Sequence, residues 1–236
     1  MKKLKKHIPL ILFLLMGITG LCVALYPTIS NYFNERRQEQ LVEDYRRQAA
    51  ALEEATYNAM FDQAFAYNKK LFTENIDFEN ITAYQEDLKK EGLDYNKLLK
   101  VEDSPVMGYI EIDKIDVRLT IGYGTSEEVL ENSVGHMEGT SLPVGGENTH
   151  AVLFGHRGLP SAKLFTDLDQ MEEGDTFQIH VLNRTLTYEV DQIVVVTPEE
   201  TDPLKIEAGK DYVTLVTCTP YAVNTHRLLI RGVRVE

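Results

Sequence analysis

Three residues in this chain have side chains suited to nucleophilic catalysis: Cys218, His156 and Arg227. The chain has two cysteines, and Cys22 lies in an apolar stretch near the N-terminus, so Cys218 has no disulfide partner within the chain. A thiol attacks as its thiolate, and a nearby imidazole can then protonate a leaving amine. These residue types predict acyl transfer through Cys218, and an inert cysteine at the end of a core strand is the alternative.

The local sequence places all three residues at the ends of predicted strands. Cys218 follows the β-branched run 212–217 (YVTLVT), and a hairpin would set Arg227 beside it, where a fixed positive charge can stabilise an oxyanion. His156 follows another apolar run and has a glycine close on each side. His226 is the competing histidine because it is close to Cys218 in the sequence.

The second half of the chain consists of short β-type runs separated by turn residues. Such a pattern with few helices predicts a mostly β domain that forms a closed or nearly closed barrel. Short helices are expected within it at 126–132 and 161–168. The predicted strands are 108–112, 117–121, 150–154, 176–182, 186–196, 212–217 and 228–235.

The N-terminus predicts a membrane anchor. Residues 8–26 carry no charge and approach the ~20 apolar residues that span a bilayer. Four preceding lysines are expected to stay in the cytoplasm, which places the chain beyond about Pro27 outside the cell. A cleaved signal peptide is the alternative, but no small-x-small site follows the apolar segment. The net charge of −13 argues against nucleic acid as a partner.

Two further segments connect the anchor to the β-rich domain. Apolar residues recur along 31–72 at spacings that predict one long helix, which continues from the membrane as a stalk. Residues 73–105 contain several turn residues and predict loops around a short helix at 82–90. The predicted parts are therefore the lysines and anchor at 1–30, the helical stalk at 31–72, a possible lid and linker at 73–105, and the catalytic domain at 106–236.

Several motifs resemble those of the sortase family. The sequence TLVTC at 214–218, followed by Arg227, resembles the active-site signature of sortases, and His156 falls where their catalytic histidine does. Longer blocks resemble the class C branch, which assembles pili. These blocks are GHMEGTSLP at 135–143, HRGLPSAKLFTDL at 156–168 and TCTPYAVNTHR at 217–227.

The resemblance implies an eight-stranded sortase β-barrel and a transpeptidase reaction. Cys218 would attack the Thr-Gly bond of an LPXTG-like sorting signal, His156 would protonate the departing amine, and Arg227 would steady the substrate and the oxyanion. The implied partners are pilins or surface proteins that carry this signal. A pilin lysine or a peptidoglycan amine would then resolve the thioester at the membrane surface of a Gram-positive type cell. The resemblance implies no metal and no cofactor.

Two features depart from the class C pattern. Class C enzymes usually carry a lid with an Asp-Pro-aromatic motif, in which the Asp engages the arginine and the ring covers the thiol. Asp77-Phe78 is the nearest match here and is a possible lid without the proline. Members often add a hydrophobic helix after the barrel, whereas this sequence stops after a predicted strand.

These departures keep other functions open. A sortase of another class would attach surface proteins to peptidoglycan, and a membrane-tethered binding barrel would leave Cys218 inert. A papain-like hydrolase is a third alternative, although it would require a more helical domain around its cysteine.

Overall fold

The computed structural model describes residues 2–102 and 104–235, in which three helices precede a β-barrel. The helices are α1 (Lys2–Ala50), α2 (Glu54–Thr73) and α3 (Ile81–Lys90), and a short helix, α4 (Glu127–Leu130), lies within the barrel sequence. The strands are β1 (Val106–Ile112), β2 (Val117–Tyr123), β3 (Val134–His136), β4 (Thr149–Phe154), β5 (Thr176–Val181), β6 (Arg184–Val196), β7 (Asp211–Thr219) and β8 (His226–Arg234).

The eight strands of the described chain close into one barrel in the order β1-β2-β3-β4-β7-β8-β6-β5. β5 pairs with β1 and completes the closure. Two pairs, β2–β3 and β4–β7, are parallel, and the other pairs are antiparallel. The prediction of a mostly β, closed eight-stranded barrel is confirmed.

The strand pattern missed β3, and one predicted helix is wrong. β3 has only three residues, which is too short for an alternating pattern to be recognised. Residues 161–168 form turns instead of a helix, because this segment folds back so that Phe165 packs in the core. The helix predicted at 82–90 is present as α3, and the one at 126–132 is present as the shorter α4.

Alternate residues of β4, β7 and β8 point to opposite faces of the barrel wall. Leu153, Leu215 and Ile230 belong to the main core inside the barrel. On the other face, Val152, Val216 and Leu229 form a second apolar cluster together with Leu204 from the β6–β7 loop. We call this second cluster the outer cluster, because it marks the face on which the candidate site lies.

The helix α1 joins the apolar N-terminus to the barrel without interruption. It is the one helix of the described chain that is long and apolar enough to cross a membrane. Further along it, Gln38 Oε1 accepts hydrogen bonds from the backbone N–H and the hydroxyl of Thr120 (3.0 and 2.9 Å). The Tyr45 hydroxyl donates to the Met107 carbonyl (2.9 Å) and accepts from the Leu182 N–H (2.8 Å). These buried polar contacts fix the helix against β1 and β2.

The prediction of one helix over residues 31–72 is wrong, because the chain turns between Ala50 and Glu54. The turn lets two apolar faces reach different parts of the barrel. Tyr45 and its neighbours pack near the start of β1, whereas Phe61 and Tyr67 of α2 join the main core. A single straight helix would carry the α2 face past the barrel.

Two histidines outside the candidate site are buried in the fold. His136 Nε2 donates to the Ser141 carbonyl (2.9 Å), and its Nδ1 contacts the Tyr95 hydroxyl (3.0 Å). His150 Nδ1 donates to the Lys205 carbonyl (2.9 Å), and its Nε2 accepts from the Thr214 hydroxyl (2.7 Å). Burial lowers the pKa of each histidine from 6.5 to about 4.

This burial predicts a loss of stability on acidification. The unfolded chain binds a proton at each histidine near pH 6.5, whereas the folded chain binds it only near pH 4. The stabilisation is therefore complete above pH 6.5 and is lost as the pH falls toward 4. Each histidine should contribute a slope of up to about 1.4 kcal/mol per pH unit. Denaturant unfolding of the full chain in detergent, followed by circular dichroism, measures this slope.

The control for this prediction is a pair of variants that cannot titrate in this range. His136→Gln and His150→Gln will both lower stability at pH 7.5, but each should flatten the slope between pH 6.5 and 4.5. Slopes equal to that of the unmodified protein would show that these histidines are not the source of the acid sensitivity.

Candidate active site

The hairpin of β7 and β8 places Cys218 directly opposite Arg227. The two residues are partners in the antiparallel register, two positions beyond the pair Val216 and Leu229. Because side chains alternate along a strand, Cys218 and Arg227 share the face of the outer cluster. Cys218 is a free cysteine, and the residue is partly exposed.

The strand β4 delivers His156 to the same end of β7. β4 and β7 run parallel, and Phe154 is the register partner of Val216. The ladder continues one step, since the Gly155 N–H donates to the Val216 carbonyl (3.0 Å). The buried Thr217 hydroxyl also donates to the Gly155 carbonyl (2.7 Å). These bonds bring the backbone of His156 alongside that of Cys218.

The register argues against His226 as the catalytic histidine. His226 is paired with Thr219, one position beyond the Cys218 pair, so its side chain leaves the strand on the opposite face. Its Nδ1 contacts the hydroxyl of the preceding residue, Thr225 (2.9 Å). Of the two histidines considered from the sequence, the geometry therefore favours His156.

The guanidinium of Arg227 lies against the β7–β8 connection. Its Nη1 donates to the carbonyls of Asn224 (3.3 Å) and His226 (3.1 Å). The residue is partly buried, and these two bonds hold its permanent charge next to the strand end that carries Cys218. A charge fixed in advance requires little reorganisation when an oxyanion forms beside it.

The loop that carries His156 has a glycine on each side of the histidine, and each glycine packs closely against an aromatic ring. A Cβ placed on Gly155 would lie 2.5 Å from the Phe165 ring. Gly158 has a φ of +76° and would meet the Tyr221 ring at 2.8 Å. Neither position has room for a side chain, which explains why glycines occur on both sides of the histidine.

Asp77 and Phe78 lie in the segment between α2 and α3. Phe78 is partly buried against the outer cluster, which includes Val216 and Leu229. The Asp77 carboxylate accepts the backbone N–H groups of Glu79 (3.0 Å) and Asn80 (3.2 Å). Asp77 therefore caps its own turn in this structure, and Phe78 is the member of the pair that reaches the face on which Cys218 lies.

One set of residues beside this site was not predicted from the sequence. Arg157 lies in the block at 156–168 that resembles class C sortases, and its side chain bonds to Thr219, the residue after Cys218. The signal available in the sequence was its position directly after His156. Its partner Asp169 lies 12 residues further along the chain, and no sequence pattern connects the two residues.

A free cysteine, a histidine loop and a fixed arginine lie together at one end of a closed mixed barrel, and such an arrangement is suited to cysteine acyl transfer. The sortase domain profile matches residues 110–235, and the chain belongs to the sortase family. The protein is a cysteine transpeptidase of that family.

Two curated relatives align with a little over half of the chain. Sortase D of Bacillus subtilis (strain 168) is 31% identical over 139 residues, which cover 58% of this chain and 67% of that protein. Sortase A of Streptococcus agalactiae serotype III (strain NEM316) is 32% identical over 138 residues, which cover 56% and 54% of the two chains.

Solved structures extend the similarity beyond the barrel. Sortase C1 of Streptococcus agalactiae is 46% identical with a TM-score of 0.75, over 84% of this chain and 98% of that chain. Sortase C of Clostridium perfringens, solved with the C-terminal cell wall sorting motif, is 43% identical with a TM-score of 0.69, over 83% and 97%. The predicted resemblance to class C sortases is confirmed.

The packing of Gly155 predicts a specific effect of adding a methyl group there. Gly155→Ala should push the histidine loop away from β7, destabilise the fold by about 1–3 kcal/mol and lower transpeptidation at least tenfold. Thermal unfolding and peptide cleavage rates measure the two effects. Phe165→Leu removes part of the ring that the new methyl would strike, so the double variant should recover part of both losses. No recovery in the double variant would contradict this steric explanation.

Proposed function

We propose that this protein is a pilus-assembling sortase that cleaves an LPXTG-like sorting signal and joins pilin subunits through a lysine isopeptide bond. The register that sets Cys218 opposite Arg227, with the end of β4 alongside, is the observation that carries the chemistry. The choice of pilins as substrates is supported by the 38–46% identity to class C sortase structures. One of those structures is described in terms of pilin substrate specificity.

The first half of the proposed reaction forms a thioester. The Cys218 thiolate attacks the threonine carbonyl carbon of the sorting signal, and the carbonyl oxygen becomes an oxyanion that Arg227 stabilises. As the oxyanion collapses, the bond between threonine and glycine breaks. His156 donates a proton to the departing amine, which leaves the threonine acyl group on the sulfur.

The second half transfers the acyl group to a lysine. The neutral amine of an acceptor lysine attacks the thioester carbon, and a second oxyanion forms at the same place. Its collapse releases the Cys218 thiolate and leaves an isopeptide bond. His156 accepts the proton that the amine loses, so the site returns to its starting state.

The helix α1 supports a position at the membrane surface. Its apolar first part is suited to a single membrane span, and its later part is bonded to the barrel through Gln38 and Tyr45. We place the barrel on the outer side, because the lysines at the N-terminus favour the cytoplasm. A substrate held at the same membrane would then meet the active site from close range.

We also propose that the Asp77-Phe78 segment is a lid. The ring of Phe78 covers part of the outer cluster, next to the Cys218 and Arg227 pair. A Cβ on Gly139 (φ +86°) would lie 2.5 Å from the Phe78 Cα, so the segment rests directly on that glycine. The Thr201 hydroxyl donates to Glu79 (2.6 Å) and links the segment to the β6–β7 loop.

The lid predicts that its removal exposes the thiol. Alanine at both Asp77 and Phe78 should raise the labelling rate of Cys218 by a maleimide about threefold or more, since the apolar cover is lost. Gly139→Ala should act in the same direction by lifting the segment. Phe72→Ala changes an exposed aromatic residue at the end of α2 and serves as the control. Equal labelling rates in all four proteins would show that the segment does not cover Cys218.

Polymerisation of a purified pilin tests the function itself. The protein should produce an SDS-resistant ladder, and Cys218→Ala should produce none because no thioester can form. Arg227→Lys keeps the positive charge but not the planar guanidinium, so we expect the rate of pilin polymerisation to be at least tenfold lower. Cleavage of the sorting signal without a ladder, and with transfer to a peptidoglycan amine, would favour the anchoring class of sortase.

A further inference from the structure

Arg157 connects the two chain segments that meet at the active site. Its Nη1 donates to the Thr219 hydroxyl (3.2 Å), and its Nη2 forms a short ion pair with Asp169. The guanidinium carbon also lies 6.0 Å from the centre of the Tyr221 ring. Arg157 follows His156, and Thr219 follows Cys218, so this hydrogen bond joins the two residues next to the acid and the nucleophile.

The side chain of Arg157 is buried to an unusual degree for a cation at a loop. It is 10% exposed, whereas its partner Asp169 is 47% exposed. Its Nε is buried without a hydrogen-bond partner among the described residues. Burying a charged group is costly unless it is paired, so Asp169 and Thr219 together must hold the guanidinium in this place.

The contacts of Arg157 divide between the two segments. Asp169 follows the histidine loop toward β5, while Thr219 and Tyr221 belong to the end of β7 and the connection to β8. The planar guanidinium can direct separate N–H groups to both sides at fixed angles, which a lysine ammonium cannot do. The tight packing of Gly158 on Tyr221 adds a second contact between the same segments.

We propose that Arg157 is a positioning residue for transpeptidation. By bonding to Thr219 it fixes the distance between the His156 imidazole and the Cys218 sulfur, and Asp169 keeps its guanidinium oriented. This inference rests on the proposed function, since it assigns Arg157 to the same site. Small displacements of reacting groups lower rates strongly, so the loss of this link should act on turnover more than on substrate binding.

The sharpest test uses two substitutions of Thr219 in the full chain. Thr219→Ser keeps the hydroxyl that accepts the hydrogen bond, and Thr219→Val keeps the shape but removes it. With a sorting-signal peptide and hydroxylamine as the acceptor, Thr219→Val should lower kcat at least about fivefold with KM within about threefold. Thr219→Ser should stay within about twofold of the unmodified protein. Circular dichroism should show an unchanged folded fraction in both variants.

Substitutions of Arg157 separate charge from geometry. Arg157→Gln should lower kcat at least about tenfold. Arg157→Lys should recover only part of this loss, because lysine retains the ion pair with Asp169 but lacks the planar guanidinium. Since the two changes remove the same bond, the double variant with Thr219→Val should be no slower than Arg157→Gln alone. Arg184→Gln is the matched control, because Arg184 also stacks on an aromatic ring (Phe61, 4.0 Å) and lies at the distant β5–β6 turn.

The outcomes distinguish this inference from the proposed function. If the unmodified protein does not cleave the peptide, the proposed function is wrong. If it cleaves, and Thr219→Val has the same kcat as Thr219→Ser, Arg157 does not position the site. A fall in kcat that is matched by an equal fall in folded fraction would show a purely structural role and would also overturn the inference.

Discussion

The hydrogen-bonded ladder of β4, β7 and β8 sets the position of each group in the candidate active site. The parallel pairing of β4 with β7 brings the His156 loop to the end of β7, and the antiparallel pairing of β7 with β8 sets Arg227 opposite Cys218. A shift of one residue in either pairing would turn a functional side chain to the other face of the wall. The closed barrel matters for function chiefly because it leaves these three strands no freedom to slip.

The parts of the fold that follow from local sequence patterns were predictable. The run 212–217 is apolar and β-branched because its residues pack on both faces of the wall, and such a run is recognised as a strand without any knowledge of its neighbours. The hairpin to Arg227 also followed from sequence distance alone. The proximity of His156 could not be derived in this way, because a parallel pairing between distant strands leaves no local signal. The family resemblance supplied that expectation instead.

Other features depend on contacts between distant parts of the chain. The turn between α1 and α2 occurs because two apolar faces pack at different places on the barrel, although their spacing reads as one helix. The link from Arg157 to Asp169 and Thr219 joins loops whose approach is set only by the complete fold. Asp77 likewise caps its own turn. The class C lid motif predicted instead that this aspartate would contact the arginine of the site.

In the proposed reaction, Cys218 carries the acyl group of the substrate. Mass spectrometry of the full-length protein, quenched in acid during reaction with a sorting-signal peptide, tests it most directly. We expect a thioester on the peptide that contains Cys218, with the mass of the substrate fragment ending at threonine, and we expect its loss on treatment with hydroxylamine. Cleavage of the peptide with Cys218 unmodified, or an equal rate of cleavage by Cys218→Ala, would contradict this role of Cys218.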